Sequence, residues 1–350
     1  MVRQDLELRK LETQFVCVRL VQMKGVDLRL FQFDYDQSWA VFFLNADGTI
    51  YGRYGTRAGD KKNALTHISV PSLKKSLERA LELHRGYPAN KAKLVAKRGP
   101  EPRYQTPELF PGLQKRALGT TTPQNCIHCH MVGEHTRKLR YEEKRLSPAD
   151  IWIYPLPENI GLKMELDDGL RVERVVPNSP AQRAEVEPGD DLLTMNGQAL
   201  VSQADIQWVL HHAPVEFTIA VTLKRRGQIL NKAIAVSGNW KDTDLSWRET
   251  SWSFRPGLWT IPLSPEEKSK RKLPQNEPGL LVKWVFGDNQ LAKQAGLKDG
   301  DVIVALDGQP VPDDESHFMA RIRLNHLPGD KVRLTLLRKG SREDVLMKVD

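Results

Sequence analysis

"GLRVERVVPNSPAQRAEVEPGDDLLTMNGQ" (residues 169–198) returns later in the chain as "GLLVKWVFGDNQLAKQAGLKDGDVIVALDGQ" (residues 279–309). Gly169, Leu170, Val172 and Val175 correspond to Gly279, Leu280, Val282 and Val285. Ala181, Ala184, Gly189, Asp190 and Gly197 then correspond, at the same internal spacing, to Ala292, Ala295, Gly300, Asp301 and Gly308. Self-similarity of this kind marks one structural unit used twice. The alternating valines suit a strand, and Ala-x-x-Ala lets a short helix pack closely. Gly-Asp turns the chain into a further strand, and Asn196-Gly197 or Asp307-Gly308 suits a hairpin turn. Each copy continues through a helical stretch into a strand ending in Arg225-Arg226-Gly227 or Arg338-Lys339-Gly340. Two mostly-β domains are therefore expected, over residues 151–238 and 257–350.

The two copies resemble PDZ domains of the bacterial, HtrA-like arrangement. That resemblance implies that an extended peptide adds as a strand to an open sheet edge, with its terminal carboxylate held by backbone N–H groups. The carboxylate loop is implied at Ile160, Gly161 and Leu162 in "NIGLKM" and at Gly257, Leu258 and Trp259 in "PGLWTI". The helices walling the grooves are expected near Ser202 to His211 and near Ser316 to Leu324. The insertion "SPEEKSKRKLPQNEPG" is expected beside the second groove. HtrA-type proteins join PDZ domains to a serine protease, but no Gly-x-Ser-Gly-Gly nucleophile loop is present, so no protease is expected here. In the linker, residues 239–256, Trp240, Trp247 and Trp252 are expected to pack between the two domains.

Residues 1–90 read as a small α/β module. "LELRKLETQ" is helical in composition, and "FVCVRLV" (Phe15 to Val21) is rich in β-branched residues, suiting a buried strand with Cys17 in its core. "AVFFLNADGTIYGRYG" is a hairpin turning at Asp47-Gly48. "SVPSLKKSLERALELH" is an amphipathic helix with Leu73, Leu77, Ala80, Leu81 and His84 on one stripe and Pro71 in its first turn. This order, carried by "FVCVRL", "GVDLRLFQFDYD" and "FFLNADGTIYGRYGTR", resembles thioredoxin-like domains, most closely those of multidomain planctomycete proteins. The first strand and the Cys-x-x-Cys of that family are missing, and Gln37-Ser38-Trp39 stands where its cis-proline would be. A true start further upstream would restore the dithiol and a signal peptide.

Residues 91–150 read as an irregular linker carrying "NCIHCHMVGEH" (125–135). Cys-x-x-Cys-His is the haem-attachment spacing. Two thiols, Cys126 and Cys129, add to the porphyrin vinyl groups, and His130 then ligates the iron. Met131 is too close to reach the sixth position, whereas His135, His67, His84, Met164 and Met195 are open to it, and a Met would raise the potential. Zinc is the rival cofactor, held by Cys126 and Cys129 with two of His128, His130 and His135. A redox dithiol is the next alternative, disfavoured because the motif is expected to lack a helix N-terminus. Similar thioredoxin-like, tandem-PDZ proteins carry the motif in the same linker, which implies an exported, envelope-associated protein.

Of the 350 residues, 52 are basic and 44 acidic, for a net charge of +8. The basic residues are dispersed, and no finger, basic-zipper or RNA-recognition pattern accompanies them, so no nucleic-acid partner is expected. No stretch is apolar enough to span a bilayer, and "MVRQDLELRKLETQF" has no apolar core of a signal peptide. The latter points to the cytoplasm, whereas covalent haem requires export to the periplasm or envelope. The expected function is a non-protease scaffold binding polypeptide termini, with haem c for electron transfer or redox sensing alongside a redox partner. The alternatives are a thiol–disulfide exchange enzyme whose dithiol lies upstream and a zinc-stapled adaptor.

Overall fold

The computed structural model describes residues 5–37, 39–55, 66–117, 125–243, 245, 256–287, 290–312 and 314–349. In chain order the elements are α1 (Leu6–Glu12), β1 (Val41–Leu44), β2 (Ile50–Tyr54), α2 (Val70–Arg85), α3 (Lys91–Leu94), α4 (Cys129–Glu142), α5 (Pro148–Ile151), β3 (Leu162–Met164) and β4 (Val172–Val175). Then come α6 (Pro180–Arg183), β5 (Asp191–Met195), β6 (Gln198–Ala199), α7 (Gln203–His212), β7 (Phe217–Arg225) and β8 (Gln228–Val236). The last are β9 (Leu258–Pro262), α8 (Pro265–Lys270), β10 (Leu280–Val285), α9 (Leu291–Gln294), β11 (Val302–Leu306), β12 (Gln309–Pro310), α10 (Glu315–Asn325), β13 (Lys331–Arg338) and β14 (Ser341–Lys348). The chain divides into two compact units, residues 1–133 with 152–243, and residues 134–151 with 244–350.

The two sequence repeats build the same sheet. In the second unit the antiparallel order is β14-β13-β11-β10-β9, leaving β9 at the edge. In the first unit β3 pairs with β4, and an Arg171–Asp191 bridge joins β4 to β5, which continues through β7 to β8. The expected turns form: Asn196 and Gly197, like Asp307 and Gly308, all take positive φ, as a two-residue type I′ hairpin turn requires. The Gly-Asp and Arg-basic-Gly signals, far apart in sequence, meet in space. The Arg225 Nε and Nη2 groups donate to the two carboxylate oxygens of Asp190 at 2.7 and 2.8 Å. Arg338 repeats this fork on Asp301 at 2.8 and 2.7 Å. Each buried aspartate is thus paired and hydrogen-bonded, the condition under which a buried charge is tolerated. The first domain's core gathers Ile160, Leu162, Val172, Leu192, Ile206, Leu210, Ile219 and Ile234, and Trp240 joins it with Nε1 donating to Val215 O. The linker indole expected between the domains therefore belongs to the first domain's core. Trp247 and Trp252 lie outside the described residues.

Several N-terminal expectations hold. Helix α2 starts at a reciprocal Ser69/Ser72 capping box, with Pro71 in its first turn and Leu77 and Ala80 buried. The β1–β2 hairpin forms around Asp47-Gly48, with Leu8, Phe43, Tyr51, Tyr54, Leu77 and Ala80 clustered beside it. The run Phe15 to Val21, however, is not a strand. Val16, Val18 and Val21 are 94%, 78% and 74% exposed, and Cys17 is exposed rather than core. Its β-branched residues satisfy local propensity, but β1 and β2 pair only with each other among the described residues, so no sheet edge receives the run. The central sheet of a thioredoxin fold is accordingly not formed by the described N-terminal residues, and Ser38 lies outside them.

The cysteine segment is also more ordered than an irregular linker. Cys129 opens the 14-residue helix α4. Ile127 is fully buried, and its carbonyl accepts the Met23 N–H at 2.8 Å. The expectation that the motif lacks a helix N-terminus is corrected by α4. The insertion before β10 does not lie in the second groove. Leu263 and Leu273 cluster with Leu281, Val302, Val304 and Leu337, and Leu281 and Val302 face away from the side that carries the cross-strand pair Leu280 and Ile303.

Candidate peptide-binding edges

The two edge strands are built alike. Gly161 and Gly257 precede them at φ +89° and +80°. A Cβ on Gly161 would lie 2.1 Å from the Ser179 Cβ, and one on Gly257 would lie 2.3 Å from the Gln290 Cβ. Ser179 and Gln290 are equivalent N-cap positions, of α6 and α9. Only glycine satisfies both the left-handed backbone and this close approach.

Backbone bonding then sets which groups face outward. Gly161 O accepts from Val176 N–H and Glu165 N–H donates to Arg171 O, so odd-numbered residues turn toward β4. Gly257 O accepts from Phe286 N–H and Leu263 N–H donates to Gly279 O, which repeats the pattern toward β10. By alternation, the backbone groups of Leu162 and Met164, and of Leu258 and Thr260, face the free edge. The groove-walling helices are α7 and α10, within a residue or two of their expected places. Across the second groove, the Glu315 carboxylate accepts the Thr260 N–H at 3.4 Å. Ile160, Leu162 and Leu258 are buried, whereas Trp259 is half exposed beside its cross-strand partner Trp284.

The first edge carries neighbours that sequence reasoning missed. Tyr154 O accepts from Gln207 Nε2, and its ring stacks on His211 at 4.2 Å. His67 Nδ1 lies 3.8 Å from Glu158 Oε1, in the turn Pro157–Ile160 that leads into the carboxylate loop. Burial pushes the Glu158 carboxyl above its ordinary value. Burial and the nearby Lys163 charge hold the His67 imidazole below its own. These contacts join residues distant in sequence, and no local motif signals them.

At the cysteine motif, Cys126, Cys129 and Cys17 are free thiols. Burial raises the Cys129 thiol pKa, and Asp36 and Asp34 add to it against backbone hydrogen bonds that lower it. Cys129 Sγ lies 3.8 Å from Gln37 O. His128 and His130 are exposed, with stacked rings 5.7 Å apart. The described residues gather no group of three or more His, Cys, Asp or Glu able to hold a metal ion, so Cys126, Cys129, His128 and His135 are not brought together as a zinc site. Of the other residues open to the sixth position, Met164 and Met195 are buried in the first domain's core, and His84 Nδ1 is hydrogen-bonded to Tyr51.

Residues 159–236 and 272–349 match the PDZ domain family. The chain carries two PDZ domains. Their sequence is similar to that of the periplasmic serine endoprotease DegP of Salmonella typhimurium, 31% identical over 150 residues, 43% of this chain and 29% of that protein. A probable periplasmic serine endoprotease DegP-like protein of Marinomonas sp. is 24% identical over 185 residues, 53% of this chain and 38% of that one. The chain thus spans well under half the length of these relatives. Among solved structures, the HtrA-type protease AlgW with decapeptide covers 37% of this chain and 41% of its own at 22% identity and a TM-score of 0.24. The HtrA3 PDZ domain bound to a phage-derived ligand covers 27% of this chain and 82% of its own, at 20% identity and a TM-score of 0.22. No helix among the described residues is long and apolar enough to cross a membrane.

Proposed function

We propose that the chain is a scaffold that grips extended polypeptide segments, and their C-termini, on the edge strands of its PDZ domains. The observation that carries this reading is the repeated edge: a left-handed glycine packed on an N-cap, followed by a strand whose alternate backbone groups face outward. An entering strand at β9 replaces Glu315 at the Thr260 N–H, and backbone N–H groups near Leu258 face the peptide carboxylate. The DegP-named relatives are periplasmic endoproteases, which supports a periplasmic place for this chain; no protease role is proposed. Fluorescence anisotropy with a pool of labelled decapeptides tests the reading. Amidating their C-termini should weaken binding at least about tenfold, since a charge-assisted hydrogen bond is lost. Equal binding of free and amidated pools, or none of either, would count against it.

A second reading concerns the Cys-x-x-Cys-His motif. Ile127 anchors the loop between two free thiols, while the imidazole of His130 is exposed. Cys126 and Cys129 would hold a haem through thioethers, and the His130 imidazole would bind its iron. Such a group would supply electron transfer or redox sensing. Export with a c-type maturation system, followed by a pyridine-haemochrome spectrum and intact mass, tests it. A colourless protein of unmodified mass, beside a control cytochrome that matures, would end this reading.

A further inference from the structure

We infer that the first PDZ groove is closed by the chain's own N-terminal region, which occupies the edge that a peptide would use. The inference rests on the peptide-binding reading of that groove. Closure occurs at both ends of the strand. Beyond β3, the outward carbonyl of Leu166 accepts a hydrogen bond from Ser69 Oγ at 3.2 Å. In the turn before the carboxylate loop, His67 stands against Glu158, and Arg53, Tyr54 and Gly55 line a second recess with Ala204 and Gln207 of α7. Between them, Tyr54, Gly55, His67 and Ile68 enclose a small recess with Gln203 and Ala204 of α7. Gln203 and Gln207 of α7 are both buried, whereas Leu162 and Met164 are buried in the domain's own core.

The closing region is clamped from outside the groove as well. Lys75 and Arg79 of α2 both pair with Asp168. Ser202 Oγ donates to Arg53 O at 2.5 Å. A Cβ on Gly52 would lie 2.5 Å from Val201, so β2 and the start of α7 touch at backbone distance. Closure also leaves polar atoms unsatisfied. Gln203 Nε2 and Glu158 Oε2 are buried without a hydrogen-bond partner among the described residues. An unmet buried polar group is costly, so opening the groove, or a peptide that meets these groups, recovers part of what is lost on undocking. A carboxylate-bearing ligand, moreover, meets Glu158 unless that side chain is displaced or protonated.

The test compares the full chain with a Lys75→Glu/Arg79→Glu variant, which turns two attractions to Asp168 into repulsions. Hydrogen–deuterium exchange is read without ligand. The amides of Leu162 and Met164 face away from β4, so the sheet does not protect them, and slow exchange there reads the cover inferred for the N-terminal region. Exchange across 162–166 should rise at least about tenfold in the variant, with 217–236 unchanged as proof of a folded domain. The variant should also gain one saturable site for the free-carboxylate decapeptide pool. If the charge reversal prevents folding, Asp168→Asn serves, with a smaller rise in the same segment. Unchanged exchange at 162–166 in either folded variant would overturn the closure. Raised exchange with no peptide bound by either protein would leave the closure standing and refute the peptide reading instead.

Discussion

Substituting Gly161 by alanine should destabilise the first unit by about 2 to 5 kcal/mol. The figure has two parts. A non-glycine residue held in the left-handed region costs about 1 to 2 kcal/mol. The new Cβ also lies 2.1 Å from both the Cβ and Oγ of Ser179, with the Ser179 Cα at 3.6 Å, and overpacking of this kind costs about 1 to 3 kcal/mol. For a unit of this size the melting temperature should fall by about 4 to 15 °C. Urea unfolding followed by tryptophan fluorescence measures the free energy, with Trp208 and Trp240 buried in this unit as reporters. The two parts separate in a cycle with Ser179→Gly, which removes the clashing Cβ and costs the α6 cap only a few tenths of a kcal/mol. The double variant should recover the overpacking share and leave the backbone share. A Gly161→Ala protein within about 0.5 kcal/mol of wild type, or a cycle without coupling, would refute the account of this loop. Gly257→Ala should behave similarly in the second unit, through Gln290.

Asp205→Ala should cost about 3 to 5 kcal/mol in urea unfolding, because it leaves Arg53 and Lys97 buried with no carboxylate between them. Asp168 supplies a pH dependence. Burial pushes its carboxyl upward, but Lys75 and Arg79 outweigh this and hold it below 3.8. Its contribution is therefore complete above the unfolded value and lost as pH falls through the lower folded one. Acid-induced exposure of residues 162–166 should begin below pH 3.8, and Asp168→Asn should flatten that part of the exchange profile. Alkylation at pH 8 followed by peptide mapping should find Cys17, which is exposed, modified fastest, and Cys129, half-buried with a raised pKa, slowest. A Cys129 reacting faster than Cys17 would contradict that ordering.

What the sequence alone determined is what repeats or stays local. The matched valines, Ala-x-x-Ala and Gly-Asp spacings mark one unit used twice, which resembles a PDZ domain, because each signal specifies a turn, a strand face or a close contact within a few residues. The Asp47-Gly48 hairpin and the Leu73, Leu77 and Ala80 part of the α2 stripe were legible for the same reason, whereas Leu83 packs on the cluster in place of Leu81 and His84 is exposed. Tertiary structure decided everything that needs a partner. Phe15 to Val21 has strand propensity, yet lies exposed because pairing requires a second edge that no local pattern supplies. The Cys-x-x-Cys spacing said nothing of α4 or of the burial that raises the Cys129 pKa, since desolvation depends on what packs around the thiol. The left-handed Gly161 ahead of β3 could be placed from its motif. That Ser69 meets Leu166 and His67 meets Glu158 could not, because these contacts close loops spanning much of the first unit, and only the folded chain decides which groups fill the edge that the repeat leaves open.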